Sequence, residues 1–125
     1  MLAPEINEAT VRLLTRFGCE VVVAKGAGCC GSLLHHMGDE EPALSFAKRN
    51  IDAWLSAGEL DAIVVNVSGC GTTIKDYGHM LRTDPAWAEK AAKVSALAKD
   101  VSEVLARIGI PKGDHKNLKV AYHAA

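Results

Sequence analysis

The chain has 125 residues, 49% hydrophobic and 23% charged, which suits one folded core and excludes a disordered chain. Fourteen basic residues face fifteen acidic ones, so no basic field exists to attract nucleic acid or an anionic membrane surface. The apolar runs are too short to span a bilayer, the N-terminus carries no secretory pattern, and four cysteines are too few for a disulfide scaffold, which leaves metal or redox chemistry in a cytoplasmic setting.

Residues 4–17 place Ile6, Thr10, Leu13, Leu14 and Phe17 at helical spacing, with Pro4 in the first turn and Gly18 as the stop. Residues 20–24 (EVVVA) read as a strand covered on both faces. A glycine-rich turn over 25–31 follows. A helical stretch then runs from Ser32, breaks near Gly38 and resumes at Pro42, with Leu44, Ala47, Ile51, Trp54 and Leu55 as its apolar face. Gly58 stops it. Residues 61–67 (DAIVVNV) predict a second buried strand, and the turn at 68–71 leads into a helix over 72–81. Asp84 and Pro85 form an N-cap and a first-turn proline. They open the longest predicted helix, in which Trp87, Ala91, Val94, Ala98, Val101, Leu105 and Ile108 repeat in 4-3-4-3-4-3 steps until Gly109 and Pro111. A stripe of about three heptads is a core-facing helix rather than a coiled coil. Residues 118–122 (LKVAY) predict a third strand.

Strands separated by helices imply parallel crossovers, hence an α/β fold. The expected architecture is a small parallel sheet of three strands with helices on both faces, a Rossmann-like three-layer arrangement in a single domain over 1–125. The chain opens on a helix with no strand before it. That predicts a sheet edge of unpaired N–H and C=O groups and self-association through it.

In an open parallel sheet the turns after the strands share one edge, where ligands bind. Cys29 and Cys30 follow the first predicted strand, Cys70 follows the second, and His123 ends the third. Gly26, Gly28 and Gly31 flank the cysteine pair, and Gly69 and Gly71 flank Cys70, which permits tight turns with N–H groups close to a bound group. Turn N–H groups and the helix N-termini that follow favour thiolates, the form that ligates metal. Cys19 lies before the first predicted strand, away from that edge, and reads as a packing residue. Residues 26–31 also match G-x-G-x-x-G. A dinucleotide site needs an acidic residue about 20 positions further on, at the end of the next strand, where Asn66, Val67 and Ser68 stand instead, and further along. His35, His36, His79 and His115 read as surface or capping residues, Tyr77 and Tyr122 as core aromatics with a polar tip, and Asp39, Glu40 and Glu41 as helix N-terminal charge. No paired carboxylates, Ser-His-Asp set or nucleophile elbow supports hydrolysis.

The segments Gly28-Cys29-Cys30-Gly31, Ser68-Gly69-Cys70-Gly71 and Val120-Ala121-Tyr122-His123 resemble the cysteine-rich CCG domain of the heterodisulfide reductases. The same domain occurs in anaerobic glycerol-3-phosphate dehydrogenase and in the iron–sulfur subunit of glycolate oxidase, toward which the resemblance is strongest. It implies a non-catalytic electron-transfer subunit of an oxidoreductase complex that oxidises glycolate or lactate. Flavin-containing subunits are its implied partners, and the implied location is cytoplasmic, peripheral to the inner membrane through the complex. It further implies that Cys29, Cys30 and Cys70 ligate an iron–sulfur cluster, and the spacing of Gly28, Gly31, Gly69 and Gly71 around them is what places these glycines beside the bound group. The family pattern has a cysteine before the region seen here and another after the YH segment, which implies a piece of a longer protein, truncated at both ends. Two other readings use the same residues. Zinc accepts three thiolates and one imidazole, here Cys29, Cys30, Cys70 and His123. A thiol-redox protein would use a strained disulfide between Cys29 and Cys30.

Overall fold

Helix formers, breakers and one capping signal set the order of elements. The computed structural model describes residues 4–111 together with Gly113, Asn117, Lys119 and Ala121. It runs α1 (Pro4–Arg16), α2 (Ser32–His36), α3 (Glu40–Leu55), β1 (Ile63–Val65), α4 (Ser68–Met80), α5 (Ala88–Leu97), β2 (Ala98–Asp100) and α6 (Val101–Ile108). The class is α/β, with β1 and β2 paired in parallel as a two-stranded sheet in the register Ile63 to Ala98, Val64 to Lys99 and Val65 to Asp100. A parallel pair needs a crossover connection, and α4 with α5 supplies it.

The core lies where α3, α4 and α5 meet the sheet. Ala47 and Ile51 come from α3, Ile74 and Tyr77 from α4, Leu81 from the turn after it, Ala91 and Val94 from α5, and Ile63 and Ala98 from the strands. Cys30 is part of the same buried cluster. Helices α4 and α5 pack closely because Gly78 has no side chain: a Cβ there would stand 3.2 Å from the Ala92 Cα. Its N–H donates to Ser95 Oγ at 2.8 Å, and that hydroxyl donates in turn to the Ile74 carbonyl. The turn before α5 is tied to α3 by Lys48, whose ammonium meets Asp84 at 2.8 Å and lies over the Trp87 ring.

Three expectations need correction. Residues 20–24 form no strand: Val22 and Val23 are 53% and 81% exposed, and no ladder covers them among the described residues. The β-branched run sets an extended preference, but a strand exists only where a neighbour supplies hydrogen bonds and a face to pack on. The second predicted strand is shorter than expected, Ile63–Val65, and Ser68 already belongs to α4. The long helix is not continuous. Its stripe breaks at Ala98, and three residues in the middle of a helical pattern become β2. The predicted strand at 118–122 and His123 lie outside the described residues.

The break at β2 has a local cause. Asp100 is the N-cap of α6, accepting from the Ser102 N–H at 2.8 Å, while Glu103 reaches back to accept from the Asp100 N–H at 2.7 Å. This reciprocal capping box starts a new helix where the stripe would continue an old one. Ser102, by its hydroxyl and then its N–H, holds the Asp100 carboxyl below the usual carboxylate range. A carboxyl depressed on folding stabilises the native state at neutral pH, and that contribution fades as pH falls through the lowered value. Asp100→Ala is expected to cost about 1 kcal/mol in urea unfolding at pH 7. The deficit should shrink at acid pH; a loss that does not change with pH would show that the cap charge is not what sets it.

Helix α1 stands apart from this core. Only Leu14 is buried, while Ile6, Val11 and Leu13 remain exposed. Asn66, just after β1, tethers the helix by donating to Asn7 at 2.9 Å and Thr10 at 3.1 Å. No helix among the described residues is long and apolar enough to cross a membrane.

Candidate functional site

The loop over 25–31 and the start of α4 bring together the sulfur atoms of two distant stretches. Cys30 is buried, Cys70 half-buried and Cys29 exposed. The Cys30 and Cys70 thiols are near enough to act on each other, and Cys29 lies within electrostatic reach of both Cys70 and Tyr77. Cys70 sits in the first turn of α4, not in a turn before the helix. Cys19 is half-buried at the end of α1 and is not among the groups that act on these thiols.

Each glycine of the set has a different reason. Gly31 has φ +82°, and an added Cβ would stand 3.1 Å from the Ala43 carbonyl and 3.3 Å from the Phe46 Cβ. It takes the chain from Cys30 into α2 under α3, which only glycine does without strain. Gly28 faces the Arg49 guanidinium, which itself lies over the Phe46 ring at 4.9 Å. Gly69 has open space around its Cα, and Gly71 touches only Val65. These last two leave room beside Cys70.

Two buried polar side chains hold the cysteine pair, a role that the sequence alone does not mark. Asn50 of α3 is fully buried. Its Oδ1 accepts from the Gly28 N–H at 2.8 Å, and its Nδ2 donates to the Cys29 carbonyl at 2.9 Å and to the Tyr77 hydroxyl at 3.2 Å. The Tyr77 hydroxyl donates to the Cys30 carbonyl at 2.8 Å. No buried side-chain polar atom among the described residues lacks a partner. One signal does point to Asn50: it sits beside Ile51 on the apolar face of α3, and a polar residue at a core position needs a partner.

The electrostatics run against the thiolate expectation. Burial first, then the neighbouring thiols of Cys30 and Cys29, push the Cys70 thiol up to about 11. A position in the first helical turn favours the anion, but desolvation and neighbouring sulfurs outweigh it. Tyr77 is pushed up to about 12, chiefly by burial. The Cys70 thiol is therefore protonated at neutral pH when no cation stands beside it, and a soft cation would displace that proton.

His35 and His36 end α2 with rings 5.8 Å apart. They line a shallow cleft of about 300 Å³ with Thr72, Thr73, Lys75 and Asp76 of α4. His79 is exposed at the end of the same helix. Among the described residues no group of three His, Cys, Asp or Glu side chains is close enough to hold a metal ion. The donors thus fit a soft metal in kind, thiols in glycine-rich segments, and fall short in number.

The profile of the cysteine-rich domain known as CCG matches residues 1–75, a span that holds both thiol-bearing segments. The chain belongs to this family. The chain is 43% identical to the glycolate oxidase iron-sulfur subunit of Escherichia coli K12 over 98% of its own length and 31% of that protein. It is 38% identical to the probable glycolate oxidase iron-sulfur subunit of Bacillus subtilis, over 86% of this chain and 24% of the relative. Lactate utilization protein A of Halalkalibacterium halodurans is 31% identical, over 98% of this chain and 50% of the relative. The chain therefore spans between about a quarter and a half of the length of these relatives. No solved structure gives a significant match.

Proposed function

We propose that this chain is one cysteine-rich domain of a longer, non-catalytic electron-transfer subunit, in which Cys29, Cys30 and Cys70 are thiolate ligands of an iron–sulfur cluster. The observation that carries the reading is the meeting of the Cys30 and Cys70 thiols, with Cys29 in electrostatic reach, across 40 residues of chain. The similarity to glycolate oxidase and lactate utilization proteins supports the context, a complex that oxidises glycolate or lactate; flavin-containing subunits are the partners we propose for it. A bound cluster supplies one-electron transfer at a potential set by its surroundings. The chain's own residues do the rest. Cys70, whose pKa is raised to about 11, would give up its proton on ligation, so metal affinity falls as pH falls. Cys30 sits in the apolar cluster with Ile51, Ile74 and Tyr77, which keeps water from that side of the thiols. Gly69 and Gly71 add no side chain beside Cys70, while Gly28 and Gly31 let the cysteine loop pass close to Arg49, Ala43 and Phe46 of α3. Further ligands come from elsewhere in the longer subunit, since a cluster takes four.

The test is metal analysis of the full-length subunit purified without oxygen. Iron with acid-labile sulfide is the expected result. Cys30→Ser and Cys70→Ser are each expected to lower the iron content about tenfold or more, and Cys19→Ser to leave it unchanged. Zinc without iron would replace this reading with a structural zinc module, and an absence of both metals would end it.

A further inference from the structure

We propose that Asn50 and Tyr77 are positioning residues for the paired cysteines: their four hydrogen bonds, to Gly28, Cys29 and Cys30 and to each other, hold the Cys30 thiol against that of Cys70. For the ligand role of those thiols the inference rests on the proposed function; the positioning itself does not.

The loop over 25–31 belongs to no helix or strand, so no ladder holds it in place. Three of its polar main-chain groups, the Gly28 N–H and the Cys29 and Cys30 carbonyls, point instead at two side chains. Asn50 is buried on the face of α3 that also buries Ala43, Ala47 and Ile51. A leucine would pack there at no polar cost, whereas a buried amide is tolerated only when bonded. Both ends of this amide are bonded, and all its partners are the cysteine loop or Tyr77.

Tyr77 extends the logic to the third sulfur. It lies seven residues, two helical turns, beyond Cys70 on α4. One helix thus carries the Cys70 thiol directly and grips the opposing loop through the Tyr77 hydroxyl. The ring is fixed by near-parallel stacking on Trp54, with centroids 6.4 Å apart. The distance between the two thiol-bearing segments is therefore set by rigid elements α3 and α4 rather than by the loop, as a site built to receive a bridging group requires.

The test is alkylation of the metal-free chain with iodoacetamide, read at each cysteine by mass spectrometry. In the wild type Cys29 reacts and Cys30, 5% exposed, resists. Tyr77→Phe keeps the ring and removes the hydroxyl; it is expected to raise the Cys30 rate about tenfold while the Cys19 rate stays level. Equal rises at Cys19 and Cys30 would mean general loosening and would overturn the proposal, as would an unchanged Cys30 rate in a folded variant. Should the variant fail to fold, the wild-type Gly28 N–H decides. Its hydrogen exchange is expected to be slowed at least about tenfold relative to a free loop amide, and exchange at the free rate sinks the idea. In the iron-loaded full-length subunit, Tyr77→Phe is expected to keep iron and shift its electron paramagnetic resonance signal; an unshifted signal counts against the proposal. If the wild-type subunit binds no iron, the ligand role falls, while the alkylation ratio still decides the positioning.

Discussion

Asn50→Ala is expected to destabilise the chain by about 3 kcal/mol or more, the largest single effect of any polar substitution in it. Truncation strands the Gly28 N–H, the Cys29 carbonyl and one bond of the Tyr77 hydroxyl in a region where Asn50 itself is fully buried. Each unsatisfied buried group costs about 1–3 kcal/mol, and the lost side-chain volume adds a cavity term, while relaxation of the exposed end of the loop returns part of the sum. The measurement is urea unfolding, with an unchanged slope to show that the denatured state is comparable. Asn50→Asp makes the informative comparison. Its carboxylate still accepts from the Gly28 N–H but donates to neither the Cys29 carbonyl nor the Tyr77 hydroxyl. A loss under about 1 kcal/mol for Asn50→Ala would show that water replaces the amide and that the loop holds without it.

Gly31→Ala is the second large effect, again expected near about 3 kcal/mol. The left-handed conformation costs a residue with a Cβ about 1–2 kcal/mol. The added methyl also meets the Ala43 carbonyl and the Phe46 Cβ at 3.1 and 3.3 Å, and overpacking of that kind costs about 1–3 kcal/mol. The Ala43 carbonyl is main chain of α3, so it gives way little. The displacement falls on the neighbouring residue, Cys30. The full-length subunit carrying Gly31→Ala is therefore expected to lose iron as well as stability, whereas Gly69→Ala, at a position with open space, should lose much less of either. Thermal unfolding and iron content measured on the same two variants decide it. Equal losses at both glycines would show that tight backbone packing at Gly31 is not the cause.

The cysteine motifs are legible as motifs. Cys29, Cys30 and Cys70 with their glycines carry the family resemblance in the sequence alone, and the family match covers both segments. Sheet topology predicts that the Cys30 and Cys70 segments meet, but the fold reaches that contact by another route. Among the described residues no strand precedes the cysteine pair, and Cys70 rides in a helix rather than in a turn. The two segments meet because α3 and α4 pack together and Asn50 and Tyr77 bridge them. Lys75 of α4 pairs with Glu103 at 2.6 Å, a contact between residues 28 apart that no local pattern announces.

The sequence by itself determined local matters: the helical character of 4–16 and 40–55, the glycines that flank the thiols, and the Asp-Val-Ser-Glu run at Asp100, a capping signal masked by the longer apolar stripe that reads as one continuous helix. It could not decide whether 20–24 or 98–100 would be the strand. A β-branched run and a helix-spaced stripe are preferences of about a kcal/mol per residue or less. Pairing with Ile63–Val65 and full burial of Ala98 outweigh them at one place, and nothing among the described residues does so at the other. The ionisation of Cys70 was settled in the same way. The first turn of a helix favours a thiolate, but burial first, and then the thiols of Cys30 and Cys29 from another part of the chain, oppose it, and only folding supplies both.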